Sequence, residues 1–374
     1  MDEYDYLVIG GGIAGCSVAY FLSEHARVAV LERESQPGYH TTGRSAASYT
    51  TVYGNVPIRA LTLASRRFYD HPPRGFTAAP LLTPLGALFF ADQDGLPALE
   101  ALLDSVNDPA RLVRLSGNEA RAIVPVLGNQ VVAAAHEHVA RGIDVHTLHQ
   151  GFIRGLREND GHLQTSAEVR GLTRANGYWE VETGDKTYKA PVVINAAGAW
   201  GDVVAGLAGI EPLGLQPKRR TALTFRPDAD LNFAHWPFAV EIGESFYFKP
   251  ESGLLLLSPA DETPAPPGDA QPEEIDIAVA IDRLQSATTL RVDRVAHKWA
   301  GLRTFAADRT PVAGFDRQEQ GFFWLVGQGG YGIQTAPGLG QVAAALAMEK
   351  DIPSAMADQG VRAADLAPAR LRQR

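Results

Sequence analysis

A single cysteine, Cys16, is all the sulfur chemistry of this kind that the 374-residue chain possesses. No internal disulfide and no cysteine metal cluster can therefore form, and no metal site is expected. Basic residues are outnumbered, and the net charge of −9 argues against nucleic acid or an anionic membrane as the main partner. No apolar run reaches the length needed to span a bilayer. The acidic start Met1-Asp2-Glu3 passes straight into an apolar stretch and does not read as a secretory signal, so the expected location is cytoplasmic. The basic residues Arg370, Arg372 and Arg374 read as a solvated tail.

What is present is an ordinary globular composition, 45% hydrophobic and 21% charged, on a chain long enough for two structural domains. Its most informative stretch comes first. An apolar strand, Tyr4 to Ile9, runs into Gly10-Gly11-Gly12-Ile13-Ala14-Gly15, which matches G-x-G-x-x-G. A helix follows, with Ala14, Val18, Phe21 and Leu22 on one face, and then a second strand, Val28 to Leu31, closes on Glu32. In such a unit the first glycine permits the tight turn and the second admits a pyrophosphate to the backbone. The third lets the helix pack on the sheet, and the acid accepts hydrogen bonds from an adenosine ribose.

After this βαβ unit comes the polar stretch Gly38 to Ser48, suited to offering hydroxyls and backbone N–H groups to an anion. A further nucleotide-domain block begins near Asp144 with a helix through Leu156, followed by a strand around Thr165 to Val169. A hairpin at Asn176-Gly177 and a buried strand, Val192 to Ile194, complete it, leading into the small-residue run Asn195 to Gly201. Residues 80 to 140 mix apolar strands such as Ala87 to Phe90 with helices, and residues 218 to 260 alternate as strands do. Asp261 to Glu274, rich in proline and acids, reads as an exposed loop. The end returns to strand, glycine-rich turn and helix: Phe322 to Val326, Gly327 to Thr335, and a helix over about Gly338 to Met348, whose N-terminus favours negative charge on a bound ring.

Together these blocks resemble the D-amino-acid oxidase superfamily of flavoproteins, and within it the D-arginine dehydrogenase group. The resemblance runs through Asp5 to Gly10, Gly38 to Ala47, Gln216 to Arg220, Glu244 to Tyr247, Trp299 to Arg303 and Gln328 to Thr335. It implies an α/β fold, with a Rossmann-like FAD-binding domain (1–80, 141–217, 296–374) and a discontinuous mixed-sheet substrate domain (81–140, 218–295), as in the D-amino-acid oxidase and glutathione reductase type. It implies FAD held by Gly10, Gly12, Ile13, Ala14, Gly15, Glu32 and Arg33. Further cofactor contacts fall to Thr41, Thr42, Gly43, Arg44, Ser45, Ala46, Ala47 and Ser48, to Val169 beside the adenine, and to Ala197, Gly198 and Trp200. The last group is Gly301, Arg303, Gly329, Gly330, Tyr331, Gly332, Ile333 and Gln334. Members that attach FAD covalently use a cysteine late in the chain; none stands there, so the FAD is expected to be noncovalent.

Oxidising an amino acid at a flavin needs a cation for the carboxylate, and arginine's planar, permanently charged fork is the better clamp. By the resemblance Arg303 and Arg220 bind the carboxylate, Tyr53 and Tyr247 reach the substrate, and the Gly330 carbonyl and Gln334 contact amine and carboxylate. Ser48, Thr50, Ala87, Phe238 and Val240 would form the side-chain pocket. Arginine-oxidising relatives carry a glutamate where this chain has Ala87 and a histidine where it has Ser48, and Leu81 to Ala91 holds no charge. A buried guanidinium there would lack a partner, at a cost of several kcal/mol. The expected activity is therefore FAD-dependent dehydrogenation of neutral, apolar D-amino acids to 2-oxo acids and ammonia through an imino acid. Electrons would pass to an acceptor other than oxygen, a quinone or redox protein. The alternatives are an oxygen-using oxidase of D-amino acids, glycine or sarcosine, and a flavin-binding module without turnover.

Overall fold

The computed structural model describes residues 2–184 and 186–372; Met1 and Arg374, which entered the sequence reading, lie outside them. The elements that place the site begin with β1 (Tyr6–Ile9), α1 (Ile13–Ser23), β2 (Val28–Leu31), α2 (Val56–Asp70), β3 (Ala87–Ala91) and β4 (Ala133–Glu137). Then come α3 (Val145–Glu158), β5 (His162–Gln164), β6 (Val192–Asn195), β7 (Gln216–Phe225), β8 (Phe238–Glu241), β9 (Tyr247–Glu251) and β10 (Leu254–Ser258). The chain closes with β11 (Val295–Phe305), β12 (Val312–Phe315), β13 (Phe322–Val326) and α4 (Gly332–Ala347).

Six strands in the order β5-β2-β1-β6-β13-β12 form one sheet, parallel except for the β12–β13 pair. The apolar runs of the inner strands β1, β2 and β13 are those of strands buried on both faces. Helix α1 packs against this sheet and α4, and glycines allow the approach: a Cβ on Gly340 would meet Ser17 at 2.8 Å. Asp144 caps α3, accepting from Thr147 N at 2.8 Å.

A nine-stranded mixed sheet stands against it, running β7-β10-β9-β8-β3-β4 through its centre, with β11 antiparallel to β7. Side-chain alternation sorts its two faces. Leu88, Phe90, Ala239, Phe248, Leu257 and Leu223 point to one side and pack with Ile277, Ala280 and Leu284 of the helix Glu274–Ala287. Register sets Phe89, Val240, Tyr247 and Ser258 in a row on the other side, where Arg220, Gly301 and Arg303 also lie.

Four local expectations are corrected. The strand placed at Thr165 to Val169 is instead β5, because Ser166 takes a left-handed backbone (φ 52°) and turns the chain so that Ala167 N donates to Glu32 O. Helix α4 starts at Gly332, with Pro337 inside it; the Ile333 carbonyl that Pro337 cannot serve accepts the Tyr69 hydroxyl instead. Asp261 and Glu262 are not an exposed loop: Asp261 accepts from both Thr221 N (2.6 Å) and Thr221 Oγ1 (3.0 Å). Arg370 and Arg372 are not a solvated tail, since Arg370 pairs with Asp308 at 2.7 Å and Arg372 with the buried Asp316 at 3.0 Å. No helix among the described residues is long and apolar enough to cross a membrane.

Candidate active site

A long cavity runs from the first glycine turn to the face of the large sheet that carries Arg220, Tyr247 and Arg303. At its far end Gly10, Gly12, Ile13, Ala14, Glu32 and Arg33 line it, with Val169, Ala197, Gly198 and Trp200 beside them. Gly10 needs its glycine: its φ is +108°, and a Cβ would sit 2.6 Å from Ala196 O. Gly15 does not line the cavity but braces the turn, since a Cβ there would lie 1.9 Å from the Gly10 carbonyl. Glu32 is buried and locked, Oε2 accepting from Gly11 N (2.7 Å) and Oε1 from Glu34 N (2.8 Å). His149, which the sequence reading passed over, holds the same turn from below through Gly11 O at 2.9 Å. Cys16 is buried against Gly11 O, and burial pushes its thiol far above the ordinary range.

The stretch after the first unit folds over the N-terminus of α1. Thr42 Oγ1 accepts from Ile13 N at 3.0 Å, a cap supplied from 29 residues away, and Thr41 Oγ1 donates to Leu302 O at 2.7 Å. Thr41, Thr42, Arg44, Ser45 and Ala46 line the cavity; Gly43 lies outside it, its N–H held by Gly38 O. Arg44 also faces the neighbouring loop, donating to Ala270 O and Ala300 O and pairing with Asp269. On the opposite wall stand Gly301, Arg303, Gly329, Gly330, Gly332 and Ile333, so the first turn of α4 points its free N–H groups into the cavity. Gln328, not singled out from sequence, lines this wall with a buried Nε2 that has no partner among the described residues. Two glycine-rich turns, two helix N-termini, a locked acid and an orphaned donor fit a dinucleotide flavin.

A smaller compartment opens from this cavity and shares Ser45, Ala46, Arg220, Tyr247, Arg303, Gly330 and Ile333 with it. Ala47, Ser48, Thr50, Tyr53, Phe238, Val240 and Gln334 complete most of its wall. Arg303 comes from β11 and faces the phenols of Tyr53, Tyr247 and Tyr331, with no carboxylate of the described residues as ion-pair partner. Burial works against its charge, but these three neighbours outweigh it and raise its pKa further. Gly330 makes room for it, because a Cβ there would lie 2.6 Å from the guanidinium. Arg220 is aimed by the loop misread as exposed: its Nε donates to Asp261 O at 2.8 Å and Nη2 pairs with Glu262 at 3.4 Å. Glu262 also holds Arg309 and Lys218, which bring its carboxyl down to about 2. Burial raises the Tyr247 phenol, and Arg303 and Arg220 override that and lower it, whereas burial keeps Tyr53 well above its ordinary value.

Two sequence assignments change here, those of Ala87 and Tyr331. Ala87 does not line the compartment: it is fully buried in the apolar cluster that also holds Val52, and Phe89, two residues on, takes its place. Gln334 lines it as expected, its amide accepting from Thr50 N at 3.4 Å and donating one N–H to Thr62 Oγ1 at 2.9 Å, with its second N–H left over. Tyr331 lies outside both compartments and packs on Tyr53, ring centroids 4.9 Å apart. The compartment is also not free of acid. Glu244 stands at its rim, accepting the Tyr53 hydroxyl at 3.2 Å, a contact across 191 residues that a search of Leu81 to Ala91 for charge could not find.

A family model described as DAO, FAD dependent oxidoreductase, matches residues 5–346. Mitochondrial dimethylglycine dehydrogenase of Mus musculus is 24% identical over 373 residues, covering 91% of this chain and 42% of that protein. The chain thus spans less than half the length of that relative. Among solved structures, L-proline dehydrogenase from P. horikoshii superposes with a TM-score of 0.85 at 20% identity, covering 100% of this chain and 98% of that one. Glycine oxidase from Geobacillus kaustophilus gives 0.80 at 19%, covering 94% and 96%. The chain therefore belongs to the DAO family of FAD dependent oxidoreductases, its mixed α/β fold is that of the family, and FAD is its cofactor.

Proposed function

We propose that this chain oxidises the carbon–nitrogen bond of a small amine carboxylate, with neutral, apolar D-amino acids as its substrates. The observation that carries the reading is Arg303: a guanidinium inside the molecule, ringed by phenols and lacking an acidic ion-pair partner among the described residues, calls for an anion from outside. The names of the similar proteins support the class, since dimethylglycine, proline and glycine all carry an amine next to a carboxylate. Arg303 and Arg220 grip the carboxylate, and Tyr247 between them and Tyr53 opposite orient it. Phe89, Phe238 and Val240 offer an apolar wall to the side chain. Glu244, screened at the rim and engaged by Tyr53, meets only a chain long enough to reach the mouth. Bound FAD supplies the two-electron acceptor for the hydrogen on the substrate α-carbon. The finer likeness, to the D-arginine dehydrogenase group, rests on Tyr53, Arg220, Tyr247 and Arg303, and arginine specificity is not part of it.

In the division of labour we propose, residues 1–80, 141–217 and 296–374 hold FAD and 81–140 and 218–295 the substrate. Strand β11 serves both, since it pairs along β7 while presenting Arg303. No late cysteine is present, so acid is expected to release free FAD from the purified protein; flavin that stays with the precipitate contradicts this. Glu32→Ala removes the ribose acceptor and the brace on Gly11 and Glu34, and is expected to weaken FAD retention about tenfold in an ultrafiltration assay.

The experiment for substrate is anaerobic mixing of the holoprotein with D- and L-amino acids, glycine and N-methylglycine while flavin absorbance is followed. Fast bleaching by neutral D-amino acids, at least tenfold better in kcat/KM than by D-arginine, is the expected result. Bleaching by glycine or N-methylglycine alone would favour the second reading, an amine oxidase, which the glycine oxidase likeness supports. No lysine lines either compartment among the described residues, so air is expected to reoxidise the bleached protein slowly. No reduction by any of these compounds would leave only a flavin-binding module.

A further inference from the structure

Glu137 ends β4 without any exposed surface. It stands directly opposite Ala87, on the face that carries Phe89 and backs the smaller compartment. Its Oε1 accepts twice from one residue, Thr51, through N at 2.7 Å and Oγ1 at 2.6 Å. Arg111 takes the remaining groups of that residue, its Nε donating to Thr51 Oγ1 at 3.2 Å and Nη2 to Thr51 O at 2.9 Å. Every polar atom of Thr51 is thus held from the protein side. Glu137 Oε2 has no partner among the described residues. Burial pushes the carboxyl up to about 7, against the Thr51 bonds and the pull of Arg111 and Arg59. Tyr49 is the other titratable group that feels it.

A buried carboxyl is a costly way to fill space that a leucine would fill. Its described hydrogen bonds all go to the segment 50–54, whose Thr50 and Tyr53 line the compartment. Beyond Thr51 the segment is tied at its end, where Arg59 Nε donates to Gly54 O at 2.9 Å, while the two wall residues have only long or outlying bonds: Thr50 N reaches Gln334 at 3.4 Å, and Tyr53 reaches the exposed Glu244 at 3.2 Å. Val52 is buried in the same apolar cluster as Ala87 and Phe89.

We propose that Glu137 is a positioning residue that, through Thr51, holds Thr50 and Tyr53 in the substrate wall before substrate arrives. The inference rests on the smaller compartment being the substrate site. The two arginines of the carboxylate clamp are built on β7 and β11, so the tether reaches them only through Tyr53, which faces Arg303. Loosening the segment therefore burdens capture, and the bound substrate, once gripped, reorders it by its own contacts.

The test compares holoprotein with Glu137→Gln, Glu137→Leu and Thr51→Val. We expect KM to rise about tenfold in Glu137→Leu and about threefold in the other two, with kcat within twofold of the parent. Amide hydrogen exchange should quicken at residues 51–54 and remain as in the parent elsewhere in β3 and β4. Unchanged KM and unchanged exchange in a folded variant overturns the proposal. So does a parallel loss of kcat and of protection throughout the sheet, which marks a merely structural role. Should neither Glu137 variant fold, Thr51→Val, which leaves the carboxyl in place, decides by the same two readouts. If the parent oxidises no amine carboxylate at all, the functional reading is what has failed, and hydrogen exchange on the holoprotein still decides the tether.

Discussion

Arg303→Met is expected to lower kcat/KM about a hundredfold, because it removes the charged half of a charge-assisted pair in an enclosed site, a loss of about 3 kcal/mol. Methionine keeps most of the length and volume, so the three facing phenols keep their packing. The free protein should not suffer: Arg303 balances no acid among the described residues, and its loss leaves none of their buried carboxylates stranded. Thermal stability at or slightly above the parent's is the matching expectation. The measurement is steady-state kinetics per mole of bound FAD, since Arg303 also lines the cofactor cavity. Arg303→Lys keeps the charge without the fork and should fall between the two. Near-parental kcat/KM in the methionine variant would remove the clamp from the mechanism. Arg220→Met should act in the same direction but mix two causes, because Arg220 also pairs with Glu262, which would lose a partner.

What could be read from the chain alone follows from how local each signal is. The βαβ unit was legible because strand, glycine turn, helix and Glu32 lie within one short span, and each residue's role depends on its immediate neighbours. Arg220, Arg303, Tyr53 and Tyr247 came from resemblance, and register explains why β7, β9 and β11 set three of them on one face. Thr42 as a cap for α1, Asp261 as the guide for Arg220 and Glu137 as the anchor of Thr51 all depend on residues 29, 41 and 86 positions away. Composition misled at Asp261: proline and acid mark a loop, but a loop can fold back over a sheet edge and bury its carboxylates on arginine. Ala87 went wrong for a related reason. Strand alternation correctly puts it on the same face as Phe89, but only the tertiary packing of the cluster around it shows that it is covered there.

Gly15→Ala should give a colourless protein. The added Cβ would lie 1.9 Å from the Gly10 carbonyl and 3.2 Å from Val8 Cγ1. The first of these atoms is backbone, in the tightest part of the turn, so it has no rotamer by which to escape. Either α1 lifts from β1 or the turn opens, and both move Gly10 and Gly12, which line the far end of the cavity. Overpacking of this kind costs about 3 kcal/mol in stability, and the distorted turn takes away the close approach that the pyrophosphate needs. The expected result is less than a tenth of the parental FAD per chain after gel filtration, with a lowered Tm that added FAD does not restore. Gly206→Ala is the control. Gly206 lies in the helix Gly201–Leu207, a Cβ there meets nothing within 4 Å, and the change should be neutral or stabilise by about 0.5 kcal/mol. A Gly15→Ala protein that purifies yellow with one FAD per chain would show that the turn tolerates a side chain, and the assignment of Gly15 as its brace would fall with it.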